Sequence, residues 1–131
     1  MVVGLQFELF CADLAATVSF WVTVLGFEAP DRSGVNGYTS LRSGPVEIGV
    51  CQRDGLPPGH HFRADRFASQ AGVGVEIVLF VDDLDAAYDR ATVALTAGSG
   101  QLEPLQDRPW GMRDFRVIDP DGYYVRVTSR G

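Results

Sequence analysis

The chain is written twice. Laying Asp13-Leu14 over Asp83-Leu84, an offset of 70 residues, brings Leu9 onto Leu79, Phe10 onto Phe80, Ala16 onto Ala86 and Leu25 onto Leu95. An internal repeat limits the possible folds more than any composition can, because each copy must form the same supersecondary unit. Each copy opens with an alternating segment, residues 5–11 and 75–81, which predicts a half-buried strand. An aspartate follows that can accept from the free N–H groups of a helix start. The helices then span about residues 13–25 and 83–96, and glycines at 26 and 98 end them. Three strand-like segments follow in each copy, near residues 28–31, 38–42 and 46–51 and near residues 102–105, 113–118 and 123–128. Ser43-Gly44-Pro45 and Asp119-Pro120-Asp121-Gly122 form corresponding turns.

This order predicts an α+β fold of two βαβββ modules. A single domain covers residues 1–131, with module 1 at about 1–53, a linker at about 54–73 and module 2 at about 74–131. The linker contains Pro57-Pro58-Gly59, and a connection of that length inside a small domain tends to carry function or move. Alternation assigns the faces. Phe7, Leu9 and Cys11, like Ile77, Leu79 and Val81, should face their helix, while Glu8, Phe10 and Phe80 point away. Val46, Ile48 and Val50 oppose Glu47, Gly49 and Cys51, and Val125 and Val127 oppose Tyr124, Arg126 and Thr128. Each sheet thus keeps a second face of polar and aromatic residues, the wall of a cup if the sheets curve.

With 46% hydrophobic residues in 131, the chain can bury a real core. Its eleven basic residues are all arginine, and the net charge of −6 argues against nucleic acid, which needs a basic face. No apolar run has the length of a membrane span. The start of the chain lacks a basic, apolar leader, and two cysteines are too few for a disulfide scaffold, so a reduced cytoplasmic setting is expected. Cys11 and Cys51 fall on opposite faces and are not expected to pair.

Several motifs in order carry a family resemblance. They are Ala12-Asp13-Leu14, Phe20-Trp21, Leu25-Gly26-Phe27-Glu28, Val81-Asp82-Asp83-Leu84-Asp85, and Pro109-Trp110-Gly111-Met112-Arg113-Asp114-Phe115 running into Asp119-Pro120-Asp121-Gly122. The chain resembles the vicinal oxygen chelate superfamily of glyoxalase I, extradiol dioxygenases and bleomycin-binding proteins. The resemblance implies a curved mixed sheet around a cup, and a homodimer that exchanges modules. It does not fix function, because this fold hosts both catalysis and pure binding.

In the enzymes of that group, four inward side chains hold a divalent ion. The matching positions are Gln6, Glu47, Glu76 and Arg126, with the register of Glu47 the least secure. Three oxygen-bearing side chains suit a hard cation, and the lack of histidine disfavours zinc, iron or nickel. Arg126 decides against a metal, since a guanidinium has no lone pair to donate and stays charged. The expected arrangement is an ion-pair network of Glu47, Glu76 and Arg126 with Gln6 hydrogen-bonded nearby, and no cofactor. His60 and His61 sit in a Pro-Gly-rich loop and read as solvated.

The ligand-facing residues are then Glu8, Phe10, Tyr38, Phe80, Tyr124, Arg126 and Trp110, with Phe62 and Phe67 contributed by the linker. Trp110 reads equally as a ligand contact or as a wedge on the sheet, and Phe62 and Phe67 as contacts or as seals. Trp21 and Phe27 belong to the core. The resemblance to metal-free antibiotic-binding proteins implies sequestration of a toxic natural product, bleomycin-, mitomycin- or enediyne-like, without modification. The ring-rich face favours a flat, largely neutral polycycle. The competing reading is an enzyme of the same superfamily, either a divalent-metal lyase, isomerase or dioxygenase or a metal-free biosynthetic enzyme.

Overall fold

The computed structural model describes residues 2–30, 37–63, 71–95 and 101–130. In chain order the elements are β1 (Phe7–Cys11), α1 (Leu14–Thr23), β2 (Tyr38–Ser43), β3 (Val46–Gln52), β4 (Glu76–Phe80), α2 (Leu84–Ala94), β5 (Leu102–Asp107), β6 (Arg113–Ile118) and β7 (Tyr124–Thr128). They form an α+β fold of two mixed sheets, ordered β1-β3-β2 and β4-β7-β6-β5. The repeat survives in the pairing. β1 runs parallel to β3 as β4 runs parallel to β7, and the remaining pairs are antiparallel. No helix among the described residues is long and apolar enough to cross a membrane.

The two copies differ after the helix. The second has β5, but among the described residues the expected strand near residues 28–31 shows one bridge, Glu28 to Arg42, with backbone bonds of 2.7 and 2.8 Å. Pro30 supplies the reason, since it has no N–H for a longer ladder. Asp31 lies outside the described residues.

Both helices start as their aspartates predict. Asp13 accepts from the Ala16 N–H and Asp83 from the Ala86 N–H, at 3.2 and 3.0 Å. At the end of α1, Gly26 adopts φ 75°, a left-handed value that favours glycine, and the Phe27 N–H returns to the Trp21 carbonyl. Gly98, the corresponding stop after α2, lies outside the described residues.

The buried set follows the alternation. Leu9, Cys11, Ile48, Val50, Ile77, Val125 and Val127 join Trp21 and Phe27 in the core, with Leu79 and Val81 packed at its margin. Phe7 and Val46 depart from expectation and are exposed, each at the first residue of its strand.

The Asp119–Tyr123 turn ties the second copy to the first. Asp119 accepts from Trp21 Nε1, and Asp121 accepts from the Ala12 N–H and the Thr17 hydroxyl. Tyr123 places its hydroxyl on the β1 backbone, accepting from the Phe10 N–H at 3.1 Å and donating to the Phe10 carbonyl at 3.2 Å. These bonds satisfy groups that the fold removes from water, at the price of burying a carboxylate. Burial pushes the Asp119 carboxyl above its usual range, against the pull of its hydrogen bonds.

Candidate functional site

The helix-distal faces of the two sheets carry the candidate residues, and the register fixes their neighbours. On the first sheet Glu8 lies opposite Gly49 and Tyr38 opposite Cys51. Tyr38 donates its hydroxyl proton to Glu8 Oε1 at 3.1 Å, and Gln6 Nε2 donates to the same oxygen at 3.0 Å. Gly49 makes this possible, since a Cβ there would collide with Glu8 Oε2 and the Tyr38 hydroxyl. Burial, then the Glu8 carboxylate, push the Tyr38 phenol above its ordinary value, so it stays a donor.

Phe10 is not open to a ligand as the strand pattern alone suggests. Only 8% of it is exposed, because the linker folds back over it. Phe62 stacks on its ring and His60 meets it edge-on at 5.7 Å. His60 departs from plain solvation, its Nδ1 accepting from the Phe62 N–H, while His61 is exposed with its ring edge-on to Phe62. Phe67 lies outside the described residues.

On the second sheet, Tyr124 and Arg126 share a face with Glu76, Val78 and Phe80 of β4 and with Asp114 and Arg116 of β6. Phe80 is 48% exposed, with the Arg130 guanidinium 4.0 Å over its ring. A shallow cleft of about 290 Å³ opens beside it, lined also by Val81, Asp82, Ser129 and Arg130. Trp110 sits on a turn closed by Gly111 N–H to Arg108 carbonyl, and it is 59% exposed. An indole this exposed is not packed as a wedge on the sheet.

The expected four-residue network divides into separate pairs. Arg126 Nε meets Glu76 Oε1 at 2.6 Å, but Glu47 pairs with Arg42 on the neighbouring strand at 3.7 Å. Gln6 belongs to the Glu8–Tyr38 group instead. Alternation places each residue on a face, but it cannot say which cation on that face lies nearest. The register of Glu47 is settled by its pairing opposite Arg42. As a donor set these positions do not fit a divalent ion. Of the two matching positions on β4 and β7, Arg126 has no lone pair to donate, and its guanidinium engages the Glu76 carboxylate.

Other contributors went unnoticed in the sequence. Asp114 is fully buried and held by Arg108 at 2.8 Å and Arg116 at 3.6 Å. Arg116 donates to the Tyr124 hydroxyl, which donates to Glu103. Their signal was available: Asp114 and Arg116 alternate with Phe115 and Val117. Gly49, an isolated glycine within a strand, was likewise a sign of close approach.

Residues 5–127 match the Glyoxalase/Bleomycin resistance protein/Dioxygenase superfamily. The chain belongs to this superfamily. No curated protein matches it in sequence. Among solved structures, TioX from Micromonospora sp. ML1 is 27% identical with a TM-score of 0.70, over 99% of this chain and 100% of its own. The bleomycin-binding protein of bleomycin-producing Streptomyces verticillus, solved with copper(II)-bleomycin, is 27% identical with a TM-score of 0.62, over 100% and 98%. The bleomycin resistance determinant of transposon Tn5 shares the fold at 20% identity and a TM-score of 0.66, over 98% of each chain.

Proposed function

We propose that this superfamily member is a resistance protein that binds a flat aromatic natural product, of a bleomycin-, mitomycin- or enediyne-like kind, and holds it unmodified. The observation that carries this reading is the uncovered indole of Trp110, on a turn that leads into a sheet face bearing Phe80 and Tyr124. A large aromatic surface left in water loses the favourable burial that a stacked ligand would supply. The occupied Arg126–Glu76 pair supports binding over metal-assisted turnover. The likeness to a protein solved with copper(II)-bleomycin points the same way.

A second copy of the chain completes the site in this reading. The cleft beside Phe80 holds about 290 Å³, at or below the ~300–1,000 Å³ of pockets that enclose drug-sized ligands. A homodimer that sets a partner's sheet face against this one would close it. The cytoplasm is the compartment where such sequestration protects the cell.

A thermal-shift screen against DNA-damaging natural products tests the proposal. A ligand present at 100 times its Kd should add about 2.7 kcal/mol of stability, a readily measured rise in Tm. No shift with any aromatic member of such a panel would count against the reading.

A further inference from the structure

Two arginines stand side by side on the second sheet. Arg116 on β6 and Arg126 on β7 are directly opposite each other in the antiparallel register. Like charges in that position repel across the strands, so their presence calls for a compensating anion. The protein supplies only part of it. Arg126 has Glu76, while Arg116 shares the single carboxylate of Asp114 with Arg108. Three guanidiniums therefore contact two carboxylates. Glu103, across from Arg116 on β5, is turned to the Tyr124 hydroxyl. Arg116 Nε is buried and makes no hydrogen bond among the described residues. The side chains of Arg116 and Arg126 are 20% and 26% exposed, partly desolvated but still reachable.

We propose that Arg116 and Arg126 form an anion subsite that takes the carboxylate of an aromatic ligand. This rests on the aromatic-binding reading above and adds the chemical class of the ligand. Paired planar guanidiniums suit the two oxygens of a carboxylate, to which each donates charge-assisted bonds. The ligand's rings then lie toward Tyr124 and Phe80, which share the face. The sequence pattern favoured a neutral polycycle on the strength of its ring-rich face; the register adds Arg116 beside Arg126.

The test uses three matched probes, 2-naphthoate, 2-naphthylmethanol and 2-naphthylmethylamine, titrated calorimetrically into the intact protein. The carboxylate should bind on the order of tenfold more tightly than the alcohol, the gain expected of one charge-assisted hydrogen bond. The amine should bind more weakly than the alcohol. Arg116→Gln should abolish the carboxylate preference, so that carboxylate and alcohol bind the variant equally. Glu76→Gln frees the Arg126 guanidinium and should tighten the carboxylate further, an increase that no merely structural role predicts. If Arg116→Gln does not fold, the probe series on the wild type and Glu76→Gln decides. Equal binding of carboxylate and alcohol, or no binding of the carboxylate, overturns the anion subsite. The aromatic-binding reading is judged separately, by the melting screen with natural products.

Discussion

Phe62 of the linker stacks on Phe10 of β1, with ring centroids 4.4 Å apart and an angle of 24° between the planes. The contact covers the first sheet's aromatic residue with the protein's own chain, while Phe80, its counterpart in the repeat, stays open. The two halves therefore have unequal faces despite their matching parallel strand pairs, and in the proposed reading the second sheet carries the ligand contacts.

Removing the cover should loosen the linker without unfolding the domain. Phe62→Ala loses a stacked pair of about 0.5–1.5 kcal/mol. For a chain of this size that is a fall in Tm of roughly 2–6 °C. Limited proteolysis should cut faster within residues 53–63. An unchanged melting point with unchanged proteolysis would mean that the stack contributes nothing in solution.

Tyr123→Phe removes the hydroxyl that both donates to and accepts from the Phe10 backbone. An orphaned buried group costs about 1–3 kcal/mol. Hydrogen exchange at the Phe10 amide should accelerate more than exchange at Leu9, whose amide has no bond to Tyr123. Equal protection in the variant would mean that β1 is held by its strand pairing with β3 alone.

Arg126→Ala should cost little. The pair with Glu76 is partly solvated, and exposed ion pairs are worth about 0–1 kcal/mol. Removing Arg126 also relieves its repulsion with Arg116. The sequence alone predicts a larger loss, with two glutamates left facing each other, but Glu47 keeps its own partner in Arg42. A denaturation midpoint shifted by several kcal/mol would restore the single-network view.

The thiols should respond unequally. Cys11 and Cys51 are both free. Burial pushes Cys11 from 9.0 to about 12, and burial followed by the Glu8 carboxylate raises Cys51 as well. A folded value above the unfolded one means that the contribution of Cys11 is complete below about pH 9 and lost as pH rises toward about 12. At pH 8 both thiols are protonated and slow, and half-buried Cys51 should react first with a disulfide reagent, Cys11 only after denaturant is added. Rapid labelling of both in the native protein would contradict this burial.

Much of the fold was legible because its signals are local. The offset of Asp13 and Asp83 gave both helix starts, and strict alternation at Leu9 and Cys11 or Val125 and Val127 gave the core faces. Where the outcome depended on contacts between distant segments, the sequence was silent. Nothing in residues 53–63 announces that Phe62 will land on Phe10. The Asp119–Tyr123 turn read as a turn, but its docking on Trp21, Thr17 and Phe10 is set by how the two copies pack. The single bridge after α1 among the described residues was foreshadowed by Pro30, whose missing N–H weighs more than the repeat. For the candidate site, alternation put Tyr124, Phe80 and Arg126 on one face but left their pairing open, since the partner across a strand depends on register.

In the proposed reading an aromatic natural product binds beside Trp110 and leaves unchanged. The direct measurement is an equilibrium titration followed through Trp110 fluorescence, using the compound with the largest melting shift, with the compound then recovered and weighed by mass spectrometry. Trp21 is buried in the core and supplies a constant background. The account predicts saturable quenching, loss of the signal and affinity weaker by about 0.5–1.5 kcal/mol or more in Trp110→Ala at unchanged Tm, and a recovered compound of identical mass. Recovery of a chemically altered compound, or full affinity in Trp110→Ala, would contradict it.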